Sequence, residues 1–226
     1  WQCQAPPHAG VCTVTTKIKK SASTNKRYHH GDLHDALIIA AAQLIEENAS
    51  VDFAMIDAAR RAGVSSAAPY RHFKDKDALL EAVSRLAFLG LTESTQAIAQ
   101  QFPPGTEECI IALGKGYIQF VTTHPQFYDL MWGDMGLRAI GSLDSDLKTL
   151  GFYTLVEAVQ CWCDAINLSN YDAPELAVKL WATAHGLACL AMNHQLEKFL
   201  PDVDIYRLLE SSTQTFLKGL KSPASP

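Results

Sequence analysis

Apolar residues recur at steps of three and four positions along almost the whole chain from residue 32 onward. The first such run has the period of an amphipathic helix and consists of Leu33, Leu37, Ala40, Ala41, Leu44 and Ile45. Further helices are predicted over about residues 54–62, 66–73, 77–101, 106–123, 125–138, 145–168, 173–199 and 203–220. No run of alternating β-branched residues reaches the length of a strand. The sequence therefore predicts an all-α fold.

Residues 54–73 have the pattern of a helix-turn-helix motif. Gly63 permits the tight turn that ends the first helix, and Val64 supplies an apolar anchor after the turn. Two helices that cross closely need small residues at the crossing, and the sequence supplies Ala58, Ala59 and Ala62. A helical corner with a solvated basic face is the structural alternative to a nucleic-acid-binding motif.

Pro69 indicates where the next helix begins. Proline is tolerated in the first turn of a helix, because its missing N–H has no partner there. The third helix is therefore predicted to start near Ser66 or Ala67 and to end at Phe73. Small residues at its start would allow close approach to a groove about 12 Å wide, such as the major groove of DNA.

Charge is distributed unevenly along the chain, whose formal net charge is -5. Residues 1–76 contain 10 lysines and arginines against 7 acidic residues, whereas the remainder contains 9 against 17. A basic front and an acidic rear favour contact of the front alone with a polyanion. An uneven but merely solvated surface is the other interpretation of the same pattern.

Residues 1–25 combine prolines, glycine, serines and threonines without a sustained period, so a flexible tail is predicted there. The apolar runs are too short to cross a bilayer, and no secretory signal opens the chain. A cytoplasmic location without a membrane partner is therefore expected. The six cysteines are expected to be reduced thiols, and Cys161 and Cys163 would point away from each other on a helix.

Two stretches resemble a known family. The run from RYHHGDLHDALIIAAAQLI through FAMIDAARRAGVSSAAPYRHFKDKDALLEAV resembles the DNA-binding domain of the TetR/AcrR family of bacterial transcriptional regulators. The matching elements, in order, are residues 62–65, 70–73 and 74–80. LWATAHGLACL, residues 180–190, resembles the Trp-x-x-x-His-Gly motif of one branch of that family. The resemblance implies a DNA-binding domain over 26–76 and a helical effector-binding and dimerisation domain over 77–221.

The resemblance also implies roles for individual residues. Tyr70 and Lys76 match phosphate contacts, Arg71 is the candidate for a bidentate contact to guanine, and His72 is expected to pack at the helix end. Phe53 and Ala54 stand where the family often has a hydroxyl that touches phosphate, which puts that contact in doubt. The expected DNA-binding set is Lys26, Arg27, Tyr28, Ser65, Ser66, Ala67, Tyr70, Arg71, Lys74 and Lys76.

The rear of the chain is rich in aromatic residues that could form a small-molecule pocket. Trp181 and His185 are four positions apart and so share a helix face. Packing in the core is the alternative at each position, and no cofactor or metal site is expected. The candidate ligand-binding set is Tyr117, Phe120, His124, Phe127, Met131, Trp162, Trp181 and His185.

The resemblance implies a homodimer whose surface comes from the helices over about 145–168 and 173–199. Small and apolar residues there suit close packing, and they include Ala158, Gly186, Leu187 and Leu190. The predicted function is that of a repressor that binds a palindromic double-stranded operator and is released by a small-molecule effector. No catalytic residues are predicted, because no nucleophile and base are ordered together.

Three other functions stay open at this point. A regulator could respond to oxidation of Cys161, Cys163 or Cys189 instead of a ligand. The chain could be a constitutive architectural DNA-binding protein, although such a protein needs no aromatic pocket. It could also be a helical ligand-binding protein or an enzyme without any role on DNA.

Overall fold

The computed structural model describes residues 30–133, 136, 151–168 and 170–221. Within these ranges the secondary structure is helical and contains no strand, in agreement with the predicted all-α class. The chain forms two compact units, Trp1–Leu79 and Leu80–Pro226. No described helix combines the length and the apolarity that crossing a membrane requires.

The first unit is built on two α-helices and one short 3₁₀-helix. Helix α1 spans His30–Asn48, α2 spans Met55–Arg61 and the 3₁₀-helix spans Pro69–Arg71. Helix α2 packs against both of the others. Its buried residues are Met55, Ala58 and Ala59, and the two alanines are small enough to let the helices approach closely, as predicted. The buried core of the unit contains Leu37, Ala41, Ile45, Phe53, Met55, Ala58, Ala59 and Phe73.

The second unit is a bundle of longer helices. Helix α4 packs against α5, α6, α7 and α9, and α7 packs against α6, α8 and α9, so α4 and α7 are central. The boundary between the units falls within α3. The remaining helices are α3 Lys76–Ala99, α4 Glu107–Thr123, α5 Pro125–Trp132, α6 Phe152–Ala165, α7 Ala173–Met192, α8 Leu196–Phe199 and α9 Ile205–Lys221.

Capping residues explain several of these boundaries. The hydroxyl of Thr106 accepts a hydrogen bond from the Cys109 N–H at the start of α4. The carboxylate of Asp172 accepts one from the Glu175 N–H at the start of α7. Both satisfy N–H groups that the first helical turn leaves without partners. Pro125 occupies the first turn of α5, where a proline loses no hydrogen bond.

The predicted single helix over 173–199 is instead divided into α7 and α8. His194 lies in the left-handed region with φ of 52°. The Gln195 N–H donates to the Leu190 carbonyl at 2.8 Å and the His194 N–H to the Ala191 carbonyl at 3.0 Å. These two bonds form a Schellman motif, which ends an α-helix. Glycine is the usual residue at this position, so the histidine gave no sequence signal for the break.

Candidate functional sites

The turn after α2 begins at Gly63. Gly63 has φ of 73°, and the Val64 N–H donates to the Ala59 carbonyl at 3.0 Å. The Gly63 N–H donates to the Arg60 carbonyl at 3.2 Å, which completes a second Schellman motif. A residue with a side chain would be strained at this φ, so glycine ends α2 here, as predicted.

The segment after this turn is not the α-helix predicted over residues 66–73. Most of its hydrogen bonds instead connect residues three apart: the Ala68 N–H donates to the Ser65 carbonyl at 3.0 Å and the Arg71 N–H to the Ala68 carbonyl at 3.1 Å. Pro69 has no N–H to donate to the Ser65 carbonyl, so the Ala68 N–H uses that acceptor in a tighter turn. Pro69 does open the resulting 3₁₀-helix, in agreement with its predicted place in a first turn.

A buried aromatic ring packs this segment against α1. The Phe73 side chain is buried and stacks on the His34 ring, with centroids 4.8 Å apart and planes 25° apart. Pro69 is also buried. His72 is half-buried with its ring centroid 6.2 Å from that of His34. The backbone that carries Tyr70 and Arg71 is thus fixed at both ends.

The predicted DNA-binding residues of this segment are mostly exposed. Tyr70 keeps 62% of its surface accessible, and no described residue forms an ion pair with Arg71 or Lys74. By contrast, Arg60 pairs with Asp57 and Arg61 pairs with Glu47. The exposed members of the predicted set are Ser65, Ser66, Ala67, Tyr70, Arg71 and Lys74, whereas Lys26, Arg27 and Tyr28 lie outside the described residues.

Lys76 differs from the other cations because it is half-buried. Its Nζ lies 4.9 Å from the centroid of the Phe53 ring, within range of a cation–π interaction. Phe53 itself is buried, and the N–H of Ala54 donates to the Asp57 carboxylate at 3.0 Å. The start of α2 therefore offers a buried ring and an alanine in place of the hydroxyl that the family resemblance leads one to expect.

The second unit contains a cavity of about 360 Å³, a size typical of small-molecule sites. Helices α3, α4, α5, α6, α7 and α9 each contribute to its wall. Its described lining includes no charged side chain and comprises Leu91, Thr95, Ile110, Leu113, Gly114, Tyr117, Trp132, Gly151, Phe152, Tyr153, Leu155, Val178, Leu180, Trp181, Ala184, Leu209 and Thr213.

Only some of the predicted ligand-binding residues lie at the cavity. Tyr117 and Trp181 line the cavity, and His185 lies directly behind Tyr117. The other predicted residues are buried without lining the cavity; they are Phe120, His124, Phe127, Met131 and Trp162. Composition pointed to aromatic residues in general, but an aromatic side chain in the core gives the same sequence signal as one in a cavity wall.

Sequence reasoning assigned no residue of α3 or α9 to the pocket, yet both helices line the cavity. Helix α3 contributes Leu91 and Thr95, and α9 contributes Leu209 and Thr213. Leu209, Thr213 and Leu217 recur every four residues and are all buried. This period predicts an inward face on α9, but it does not show that the face meets a cavity.

His185 is held between two tyrosines. Its Nδ1 lies 2.7 Å from the Tyr117 hydroxyl and its Nε2 lies 3.0 Å from the Tyr128 hydroxyl. The Tyr128 hydroxyl also lies 2.6 Å from the Cys189 sulfur. Burial lowers the pKa of His185 and raises the pKa of both tyrosine hydroxyls. His185 and the two tyrosines are therefore uncharged near neutral pH, and both imidazole nitrogens are occupied by hydrogen bonds.

The four described cysteines are free thiols. Burial raises the pKa of Cys109 and of Cys163, which disfavours the reactive thiolate. Cys161 is exposed and Cys189 is half-buried. A response to oxidation would thus act most readily through one of these two. The described ranges contain no group of three histidine, cysteine or acidic side chains that could hold a metal ion.

Two sequence-family models match the chain. The model described as bacterial regulatory proteins of the tetR family matches residues 37–83, which contain the turn and the exposed basic segment. The model described as a tetracyclin repressor-like C-terminal domain matches residues 110–216, which contain most of the cavity wall. No curated protein matches the chain.

Solved structures share the fold. A protein of unknown function from Rhodococcus sp. RHA1 is 27% identical, with 88% of this chain and 100% of that chain covered and a TM-score of 0.69. A TetR-like transcriptional regulator from the same organism is 18% identical, with 85% and 100% covered and a TM-score of 0.55. A TetR-family regulator from Streptomyces coelicolor is also 18% identical, with 83% and 99% covered and a TM-score of 0.53.

Proposed function

Because the chain belongs to the TetR family of bacterial regulatory proteins and is thus a DNA-binding transcriptional regulator, we propose that it is a cytoplasmic repressor released from its operator by a small molecule. The observation that carries this proposal is the pairing of two features in one chain. One is an exposed, unpaired basic segment, and the other is a cavity whose described wall is uncharged.

The basic segment would bind DNA through a division of roles. Arg71 is exposed and unpaired, and its guanidinium can donate two hydrogen bonds to one guanine. Tyr70 and Lys74 are exposed beside it and suit phosphate oxygens. Lys76 could also reach phosphate, but only by leaving the Phe53 ring. The proposed DNA-binding domain covers residues 26–76 and includes Lys26, Arg27 and Tyr28.

The proposed homodimer would use the outward face of α7. Ala182 is exposed on this face, Leu190 retains 44% of its surface, and Val178 retains 47%. A Cβ added at Gly186 would meet no heavy atom within 4 Å, so space is open there for a partner helix. Small and apolar residues at four-residue spacing suit close packing of two helices. Burial of this face would remove apolar surface from water, which favours association.

The proposed effector site is the cavity of the second unit. Its volume of about 360 Å³ and its largely apolar wall suit a small organic molecule. Helix α3 begins at Lys76 and also carries Leu91 and Thr95 of the cavity wall. A ligand that shifts α3 at the cavity wall would therefore also move Lys76 at the start of the helix. By linkage, operator DNA would weaken ligand binding by the same factor.

The test begins with selection of the operator from random duplex DNA by the full chain. We expect a palindrome of two half-sites, bound by two chains for each duplex, because one short recognition segment reads too few base pairs. Sedimentation equilibrium of the complex gives the stoichiometry, and a duplex with a single half-site is the control. Selection of a non-palindromic site bound by one chain would contradict the dimeric operator complex.

A further inference from the structure

The described part of the cavity wall disfavours a charged ligand on electrostatic grounds. Among the lining residues that the structure describes, none is lysine, arginine, histidine, aspartate or glutamate. The His185 imidazole, which is hydrogen-bonded to the lining residue Tyr117, is uncharged near neutral pH because burial lowers its pKa. An ion transferred from water into such a site would have no countercharge, which makes its binding unfavourable.

Thr213 stands out among the buried polar side chains. Within the described ranges the buried polar residues are Ser84, Thr92, Thr95, His124 and Thr213. Ser84 donates to the Leu130 carbonyl, and Thr92 and Thr95 donate to carbonyls of their own helix. His124 also has a partner. Thr213 alone among these five forms no hydrogen bond with another residue, and it lies in the cavity wall.

The unused hydroxyl of Thr213 is unusual for a threonine inside a helix. Such a hydroxyl commonly donates to the carbonyl four residues before it, and the exposed Thr183 and Thr215 of this chain do so. Thr213 lies in the interior of α9 with the Leu209 carbonyl available, yet it makes no such bond. The Thr213 hydroxyl is not among the fully buried polar atoms without a partner, so it stays accessible from the cavity that its side chain lines, where a ligand can bond to it. The indole N–H of Trp132 in the same wall is fully buried and also has no partner.

We propose that Thr213 holds the one polar group of an uncharged, largely apolar effector, through a hydrogen bond between its hydroxyl and a hydroxyl or carbonyl oxygen of the ligand. The apolar body of the ligand packs against the aromatic wall. There the rings of Trp132 and Trp181 lie 5.2 Å apart and those of Phe152 and Trp181 lie 6.2 Å apart. The inference rests on the proposed function, since it assigns the chemistry of that site.

The matched control for Thr213 is Thr95. Both side chains are buried and line the same cavity, and both can be changed to valine with almost no change in shape. The Thr95 hydroxyl is within hydrogen-bond distance of the Leu91 carbonyl at 3.1 Å and of the Thr92 carbonyl at 2.9 Å. Its donor is already used by the helix, so its loss should leave ligand discrimination intact.

The experiment is isothermal titration calorimetry of the full chain with four compounds that share one ring system: naphthalene, 2-naphthol, 2-naphthoate and 2-naphthylmethylammonium. We expect 2-naphthol to bind more tightly than naphthalene by about three- to tenfold, the range of one net hydrogen bond. The two ions should bind more weakly than 2-naphthol by more than about tenfold. Thr213→Val should abolish the preference for 2-naphthol over naphthalene, whereas Thr95→Val should keep it.

Several outcomes would overturn this assignment. For the unaltered chain these are equal affinity for naphthalene and 2-naphthol, tightest binding of either ion, or no binding of any of the four compounds. For the variants they are a preference for 2-naphthol over naphthalene that persists in Thr213→Val or is lost in Thr95→Val. Circular dichroism melting curves confirm that each variant is folded. No DNA is present, so these results are independent of the repressor proposal. That proposal would fail separately if a bound compound left operator affinity unchanged.

Discussion

The Tyr117 hydroxyl lies 2.7 Å from Nδ1 of His185, so one hydrogen bond connects α4 to α7 at the edge of the cavity. The opposite nitrogen of His185 is bonded to Tyr128 of α5. A neutral imidazole donates through one nitrogen and accepts through the other. One tyrosine therefore donates to His185 while the other accepts from it. Hydrogen bonds to a single imidazole thus join three helices.

This cluster predicts a loss of stability in mild acid. The pKa of His185 in the folded chain is lowered below its usual value of 6.5 by burial, so the unfolded chain binds this proton more readily. The free energy of unfolding should therefore decrease as pH falls below about 6.5 and level off below the lowered pKa of the folded state. Urea denaturation midpoints between pH 5 and pH 8 measure this.

The matched variant is His185→Gln, which can bond to both tyrosines but does not titrate in this range. The difference in urea midpoint between the unaltered chain and His185→Gln should become smaller as the pH is lowered. A difference that is constant across the range would contradict a lowered pKa at His185.

Gly105 predicts a large effect of one methyl group. It has φ of 77°, and an added Cβ would lie 2.8 Å from the carbonyl oxygen of Cys161 in α6. Gly105→Ala should lower the free energy of unfolding by roughly 1–3 kcal/mol, because both the backbone and this contact would be strained. Gly219 of α9 is the control, since its added Cβ meets nothing within 4 Å. Gly219→Ala should raise stability by up to about 1 kcal/mol. If Gly105→Ala and Gly219→Ala changed the melting temperature equally, the strain predicted at Gly105 would be refuted.

Arg71 is predicted to specify the DNA sequence, whereas Lys74 contributes mainly to affinity. Arg71→Ala should weaken operator binding by roughly 1–3 kcal/mol and leave random DNA less affected. Lys74→Ala should weaken both duplexes alike and reduce the slope of log affinity against log salt by about 1. Lys76→Ala should also weaken both, with added loss of stability because Lys76 contacts the Phe53 ring. Anisotropy titrations at several salt concentrations measure all three, and identical behaviour of Arg71→Ala and Lys74→Ala on both duplexes would exclude the division of roles.

Gly186 is predicted to lie in a dimer interface. Gly186→Glu should convert the dimer to a monomer, because it places a side chain and a charge on the face where a partner helix would pack. Gly219→Glu introduces the same residue at an exposed helix position outside this face and should leave the dimer intact. Sedimentation velocity at micromolar concentration distinguishes the two. A dimer that survives Gly186→Glu would place the interface elsewhere.

Local chemistry made parts of this structure predictable from the sequence. Gly63 and Pro69 each allow few backbone conformations, and both lie where their patterns placed them. The same proline, however, also prevents the α-helical bond to Ser65, so the predicted third α-helix is a 3₁₀ segment. Helical period located the helices because it depends only on residues three and four apart.

The cavity could not be predicted because it depends on residues distant in sequence. Trp181 and His185 share a face, and their ring centroids lie 5.1 Å apart. Spacing gives no indication that Tyr128 and Tyr117 bond to the same imidazole, or that Thr213 shares a wall with Thr95. Aromatic composition predicted a pocket in the correct half of the chain, but most of the residues it selected lie in the core.

The central claim is that occupancy of the cavity controls affinity for DNA. Its most direct test is the dissociation constant for the selected operator, measured by anisotropy with and without saturating 2-naphthol, while calorimetry on the same preparation shows the cavity to be occupied. Couplings between linked sites are typically about 1–3 kcal/mol, so we predict that operator affinity falls by about 5- to 150-fold. An operator affinity that stays the same with the cavity occupied would contradict the claim.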